Sequence, residues 1–158
     1  MIRAYHSDDL SALMNIGNKA WQEIYRMFRC CYGDMLFELL TPDSDTSKGE
    51  QIRGHCEQHP DWVLVCEQDG RIMGFVTFRL DPQRSLGEIG NNAVRPDCRG
   101  QGVAQELYAA VLDRFRQAGL RYAKVHTGLD AAHAPARRAY EKAGFDIRHE
   151  EVVYYQKL

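Results

Sequence analysis

The sequence has no apolar run long enough to cross a membrane, and Met1 to Asp9 holds no apolar signal core. A cytoplasmic protein is the expectation from those two absences. Basic residues are not in excess either: 20 Lys and Arg stand against 22 Asp and Glu, for a formal net charge of −2. With no basic run present, a nucleic-acid partner is argued against, while a cationic partner meets no repulsion. Cys30, Cys31, Cys56, Cys66 and Cys98 are odd in number and show no disulfide-framework spacing, so reduced thiols are expected. Two phosphate-binding signatures are missing as well. No glycine loop ends in Gly-Lys-Ser/Thr, and Gly100-x-Gly102-x-x-Gln105 has glutamine where a dinucleotide fingerprint has its third glycine. There is no repeat, low-complexity tract or interdomain linker, and 158 residues suit a single domain with one core, residues 1–158.

What is present reads as alternating elements. Ile2 to Tyr5 is a short strand, and Ser7 caps a helix running to about Tyr25 through Leu10, Leu13, Met14, Gly17, Trp21 and Ile24. A short helix is expected around Asp34 to Leu40. Ser47-x-x-Glu50 is a capping box for a helix that ends before Pro60. Trp62 to Glu67 and Ile72 to Leu80 flank an Asp69-Gly70 hairpin turn, and Leu86 to Val94 continues the meander. A long helix from Val103 to Ala118 carries Val103, Ala104, Leu107, Tyr108, Val111, Leu112 and Phe115 at helical spacing. Then come a strand from Tyr122 to Thr127, a helix from Pro135 to Gly144, and two final strands, Phe145 to His149 and Val152 to Leu158. The class is α+β, with mixed pairing forced by the crossover through the long helix.

The informative stretch is Val94-Arg95-Pro96-Asp97-Cys98-Arg99-Gly100-Gln101-Gly102-Val103-Ala104. It passes from strand to loop to helix, with glycines at the junction. Backbone N–H groups and the positive end of a helix converge there, which suits a phosphate group, and Gly102 lets a ligand approach the backbone. Arg99 and Arg95 add positive charge. The plain alternative is a turn whose glycines serve geometry only.

Two motifs taken together resemble the GCN5-related N-acetyltransferase (GNAT) family. Arg99-x-x-Gly102-x-Ala104 is similar to its acyl-CoA pyrophosphate loop, and Ala136-Arg137-Arg138-Ala139-Tyr140-Glu141-Lys142-Ala143-Gly144-Phe145 is similar to its Ala-x-x-x-Tyr-Glu-Lys-x-Gly-Phe helix and strand start. The resemblance covers almost the whole chain. It implies a mixed central sheet splayed between the fourth and fifth strands and flanked by helices. It also implies acetyl-CoA as cosubstrate in the cleft, and direct transfer of the acetyl group to a primary amine on a small molecule or peptide N-terminus. Ala93, Val94, Arg95, Arg99, Gly100, Gln101, Gly102, Val103 and Ala104 would hold the cofactor, with a backbone N–H of Ala93 or Val94 facing the thioester oxygen. Tyr140 would be the general acid for the departing sulfur, since a phenol of pKa about 10 can hydrogen-bond a thiolate of pKa about 8.5 without losing its proton. His133 occupies the position where the family often has an asparagine that holds the pantetheine arm or the loop. Arg137, Arg138 and Lys142 form a basic face, either solvated or reaching the CoA 3′-phosphate, with Arg137 counted among the cofactor-binding candidates.

For the base that deprotonates the acceptor, Glu88 is the first candidate and His126 the second. Strand alternation puts Glu88, Gly90 and Asn92 on one open, polar face, which a cleft wall explains and a bulge or an exposed sheet face explains as well; Asn91 and Asn92 are further donors. His55 and His59 lie one helical turn apart with Cys66 downstream, but a third ligand is not evident and no metal is expected. Trp21, Tyr25, Phe28, Tyr32, Asp34, Phe37 and Glu38 could line an aromatic, acidic acceptor pocket between the first two helices and the two final strands. Tyr154 and Tyr155 mark a candidate homodimer contact. The alternative function is a non-catalytic acyl-CoA sensor or an interaction domain.

Overall fold

A computed structural model describes every residue from Met1 to Leu158. The elements run β1 (Ile2–Ala4), α1 (Leu10–Tyr32), α2 (Asp34–Leu40), α3 (Ser47–Gln58), β2 (Val63–Gln68), β3 (Arg71–Asp81), β4 (Leu86–Val94), α4 (Val103–Gln117), β5 (Tyr122–Val125) and α5 (Ala134–Lys142). The five strands form one sheet in chain order. The first four pair antiparallel, and β4 pairs β5 in parallel. Asp69 and Gly70 both take positive φ, 52° and 72°, which is the two-residue turn that matches the twist of the β2–β3 hairpin.

Strand alternation distributes the core over both faces of the sheet. Val76, Phe78 and Ile89 pack with Leu107, Val111 and Phe115 of α4. Val63, Val65, Phe75 and Ala93 face Leu13 and Ile16 of α1 and Ile52 of α3. Each fully buried side chain of this size contributes about 1.5–3 kcal/mol. Gly17 lets α1 and α3 approach closely, because a Cβ there would collide with the Ile52 side chain.

Two helix caps differ from expectation: Ser7 lies in a single 3-10 turn ahead of α1, whose N-cap is Asp9, and α3 is preceded by Thr46 at its N-cap with no side-chain cap bond, so Ser47 forms no capping box. Four further sequence expectations need correction. Helix α1 continues seven residues past Tyr25, to Tyr32. Its extension is held by Phe28 stacked on Tyr32, 5.4 Å between centroids, and by Arg29 bonded to Asp34. It stops at Gly33, whose φ is 75°. Strand β5 ends at Val125, not Thr127. The two final strands are not formed: residues 145–158 carry no strand pairing. The edge they would need, β5, is four residues long, and adjacent pairs Val152-Val153 and Tyr154-Tyr155 break strict alternation. Two aromatic contacts anchor this stretch: Phe145 edge-on to Tyr140 at 6.1 Å and Tyr155 edge-on to Tyr32 at 5.3 Å.

The fourth correction concerns β4. Val76 pairs with Asn92 but Phe78 pairs with Ile89, so Gly90 and Asn91 together oppose Thr77. This is a β-bulge, and it flips the alternation of every residue after it. Asn92 therefore leaves the face of Glu88 and turns toward α4 and α5. Glycine is required at the bulge because a Cβ on Gly90 would stand 2.7 Å from Thr77 Oγ1.

Candidate active site

The bulge also marks where the sheet opens. Parallel pairing between β4 and β5 runs from Leu86–Tyr122 to Ile89–Val125 and then ends. Beyond Ile89 the strands part, and a cleft of about 980 Å³ occupies the gap. Its walls come from α1, α3, β4, the loop into α4, and α5.

At one end lies the glycine loop. Gly100 and Gly102 have φ of 77° and 84°, and nothing stands within 4 Å of either position's missing Cβ. Gly102 is the N-cap of α4. The first N–H groups of that helix have no carbonyl partner within it and face an open cradle at the positive end of the dipole. Arg99, Gly100, Gly102, Val103 and Ala104 line the cleft together with Ala93 and Val94. Arg95 and Gln101 do not: Arg95 Nε bonds Asp97 at 3.3 Å and Gln101 donates to the Asp97 carbonyl at 3.4 Å. Asp97 also accepts from Arg71, which holds its carboxyl down at about pKa 2 and braces the outside of the loop.

Tyr140 projects from α5 into the middle of the cleft wall and is 6% exposed. Its hydroxyl oxygen accepts a hydrogen bond from Asn92 Nδ2 at 3.0 Å. Asn92 Oδ1 in turn accepts from the Tyr108 hydroxyl at 2.8 Å. The two rings lie 5.1 Å apart. The Tyr140 hydroxyl itself donates only over a long 3.4 Å contact to the same Asn92 Oδ1 that Tyr108 already holds at 2.8 Å, so a better acceptor in the cleft can take its proton. Burial raises the Tyr140 pKa, so the phenol stays protonated at neutral pH. Tyr108 was legible only as one member of the apolar stripe of α4. Its buried hydroxyl, which needs a partner, was the available clue.

Glu88 and His126 also reach the cleft. Glu88 pairs with Lys124 at 3.2 Å on the face opposite Asn92. His126 lies past the end of β5 and is exposed. His133 is fixed by Asp130, with Nδ1 2.7 Å from Oδ2, so its other ring nitrogen is the one left for the cleft. Arg137 is absent from the cleft wall. It donates to the carbonyls of Gly128 at 2.6 Å and Asp130 at 2.7 Å, tying down the loop that carries His133. Arg138 and Lys142 do line the cleft.

Of the expected acceptor residues, Trp21 and Phe28 line the cleft, and Glu23 and Lys48 join them. Tyr25 packs edge-on to Phe37 at 6.1 Å, and Asp34 and Glu38 bind Arg29. His55 is buried and bonded to the Trp62 carbonyl at 3.3 Å, while His59 stacks on the Trp62 ring. No three His, Cys, Asp or Glu side chains converge as metal ligands. All five cysteines are free, and no helix is long and apolar enough to cross a membrane.

The model of the "Acetyltransferase (GNAT) family" matches residues 21–145. The chain belongs to that family. Among curated relatives, mycothiol acetyltransferase of Streptomyces bingchenggensis is 30% identical over 95 residues, which is 60% of this chain and 30% of the relative. The chain thus spans about a third of the length of such relatives. The solved PaiA N-acetyltransferase of Thermoplasma acidophilum, in complex with coenzyme A, superposes with a TM-score of 0.71 at 15% identity, covering 96% of this chain and 92% of its own. A GNAT-family acetyltransferase of Brucella melitensis, in complex with acetyl-CoA, gives 0.63 at 20% identity over 93% and 82%. The GNAT fold expected from the two motifs is shown, with its sheet parted between the fourth and fifth strands.

Proposed function

We propose that this GNAT domain transfers an acetyl group from acetyl-CoA to a primary amine. The observation that carries the reading is the Tyr140 hydroxyl. It is held by Asn92 where the strands part, in the same cleft as the glycine cradle, and its own donation is no more than a 3.4 Å contact to Asn92 Oδ1. Acetyl-CoA supplies the activated acetyl thioester.

The remaining chemistry belongs to the chain. The cradle of Gly100 to Ala104 offers backbone N–H groups and the α4 dipole to a pyrophosphate, and Arg99 adds a cation in no ion pair of its own. Bulky Cβ atoms are missing where close approach is needed. A backbone N–H at Ala93 or Val94 is the donor for negative charge developing on the thioester oxygen. Tyr140 gives its proton, or shares it, with the leaving sulfur. The amine enters from the side of α1 and α3 and loses its proton to Glu88, through water, with His126 the second candidate for that role.

The test combines calorimetric titration with acetyl-CoA, CoA and ATP and a free-thiol assay over a panel of amines. Tight CoA binding and amine-dependent thiol release are expected. ATP binding tighter than CoA would refute the assignment of the cradle. CoA binding without thiol release for any amine would refute catalysis.

A further inference from the structure

Lys48 is the one buried lysine, 8% exposed, and it stands in the wall of the cleft. A lysine buried to that degree ordinarily has a carboxylate partner. This one takes part in none of the chain's ion pairs. Its ammonium is held by neutral groups: Gln51 Oε1 at 2.7 Å, Asn91 Oδ1 at 3.2 Å, and the face of Trp21 at 4.4 Å from the ring centroid. It also sits in the first turn of α3, where the helix dipole disfavours a cation. Burial alone depresses its pKa, to about 8, and no neighbouring carboxylate offsets this.

Three costs therefore meet at one atom: desolvation, an unfavourable helix end and no counter-charge. An anion in the cleft relieves all three. Position agrees with that reading. Asn91 lies in the β4 bulge, next to the Asn92 that holds Tyr140. Trp21 and Lys48 belong to α1 and α3, on the side of the sheet away from α4 and α5. The other charged groups lining this end are Glu23, Arg79 and Glu88, with His55 beside them, and Glu88 is already matched by Lys124. Arg79 pairs in register with Glu88 but forms no ion pair, leaving a second positive group in the same wall.

We infer that Lys48, oriented by Asn91, Gln51 and Trp21, is a recognition site for a carboxylate on the acceptor. The acceptors are then amines that also carry an acid, such as amino acids, and not simple amines or polycations. This rests on the acetyl-transfer reading above and names its substrate class. The carboxylate would take the free side of the ammonium, while the amine is presented toward the bulge and the thioester. Charge-assisted hydrogen bonds in a desolvated pocket make such a contact selective.

The test measures kcat/KM by thiol release for α-, β- and γ-amino acids, each beside the amine that lacks its carboxylate. Wild-type protein is compared with Lys48→Gln and Lys48→Arg. The ratio of acid to matched amine is expected to fall at least about fivefold in Lys48→Gln, chiefly through KM, and to recover in Lys48→Arg. Comparing ratios between variants cancels the intrinsic reactivity of each amine. Acetyl-CoA affinity, measured by calorimetry, reports that the variants are folded. A smaller fall in the ratio overturns the inference, as does a wild-type protein that turns over no acid better than its matched amine. Those results leave the acetyl-transfer reading standing. Absence of thiol release from both classes overturns that reading, and this one with it.

Discussion

Replacing Tyr140 by phenylalanine removes one oxygen and little else. The ring keeps its place against Tyr108 and Phe145, 5.1 and 6.1 Å away between centroids. The lost oxygen serves Asn92 in the structure and the leaving sulfur in the proposed mechanism, and these two losses separate structure from catalysis. Asn92 Nδ2 loses the acceptor it had at 3.0 Å but keeps the Gly90 carbonyl, also at 3.0 Å. Folding stability should therefore fall by about 1 kcal/mol or less. In the proposed mechanism the leaving sulfur loses a donor at the moment it gains charge. A hydrogen bond to a charged group is worth about 1.5–3 kcal/mol. At about 1.4 kcal/mol per decade, kcat should drop roughly 10- to 150-fold. Acetyl-CoA affinity should change less than about twofold, because the contact matters only as charge develops. The assay is thiol release at saturating acetyl-CoA and amine, with affinity read separately by calorimetry. An unchanged kcat removes Tyr140 from the mechanism. A large loss of acetyl-CoA affinity with kcat preserved makes it a binding residue instead.

Other consequences follow from the same geometry. Gly102→Glu forces a side chain and a negative charge into a cradle at φ 84° and should abolish acetyl-CoA binding; normal affinity by calorimetry would refute the placement of the cradle. Thr77 Oγ1 is buried with no hydrogen-bond partner, so Thr77→Val should raise stability by about 1 kcal/mol, seen as a higher Tm, and a lower Tm would contradict it. Lys48 contributes a stability that depends on pH. The folded form sheds its proton near pH 8, whereas the unfolded chain holds it to about 10.5. The unfolded state then binds more protons between those values, so stability rises with pH across that window. Lys48→Met should stabilise the free protein at pH 7 and lose that advantage by about pH 10.5; a gain that does not vary with pH would refute the cause.

Much of this could be read from the chain because local chemistry specified it. Asp69-Gly70 fixed a hairpin by its turn geometry. Gly100 and Gly102 announced a loop that needs left-handed backbone. The stripe from Val103 to Phe115 admits only an amphipathic helix. The separation of β4 from β5 came from the family resemblance, and the register bears it out. What escaped were effects of tertiary context. The bulge at Gly90 adds one residue to β4; Gly90 and Asn92 left a bulge and a regular polar face equally open, and only the pairing with β3 decides between them. It separates Asn92 from Glu88 and creates the Tyr108–Asn92–Tyr140 chain. Lys48 escaped for the opposite reason. At the start of an amphipathic helix a lysine reads as solvated, and only the packing of Trp21 and the bulge against it shows that it is buried. The final residues, Phe145 to Leu158, looked like strands by composition, but strands require a partner edge, and β5 provides four residues of one.

The central claim is that one cleft holds the thioester, the phenol and the amine together. Its most direct test is amine-dependent release of free CoA thiol from acetyl-CoA, with the product weighed by mass spectrometry. The account predicts one acetylated amine for each thiol released, and little release without amine. Tight acetyl-CoA binding with no amine-dependent thiol, across amino acids, peptides and simple amines alike, would contradict it.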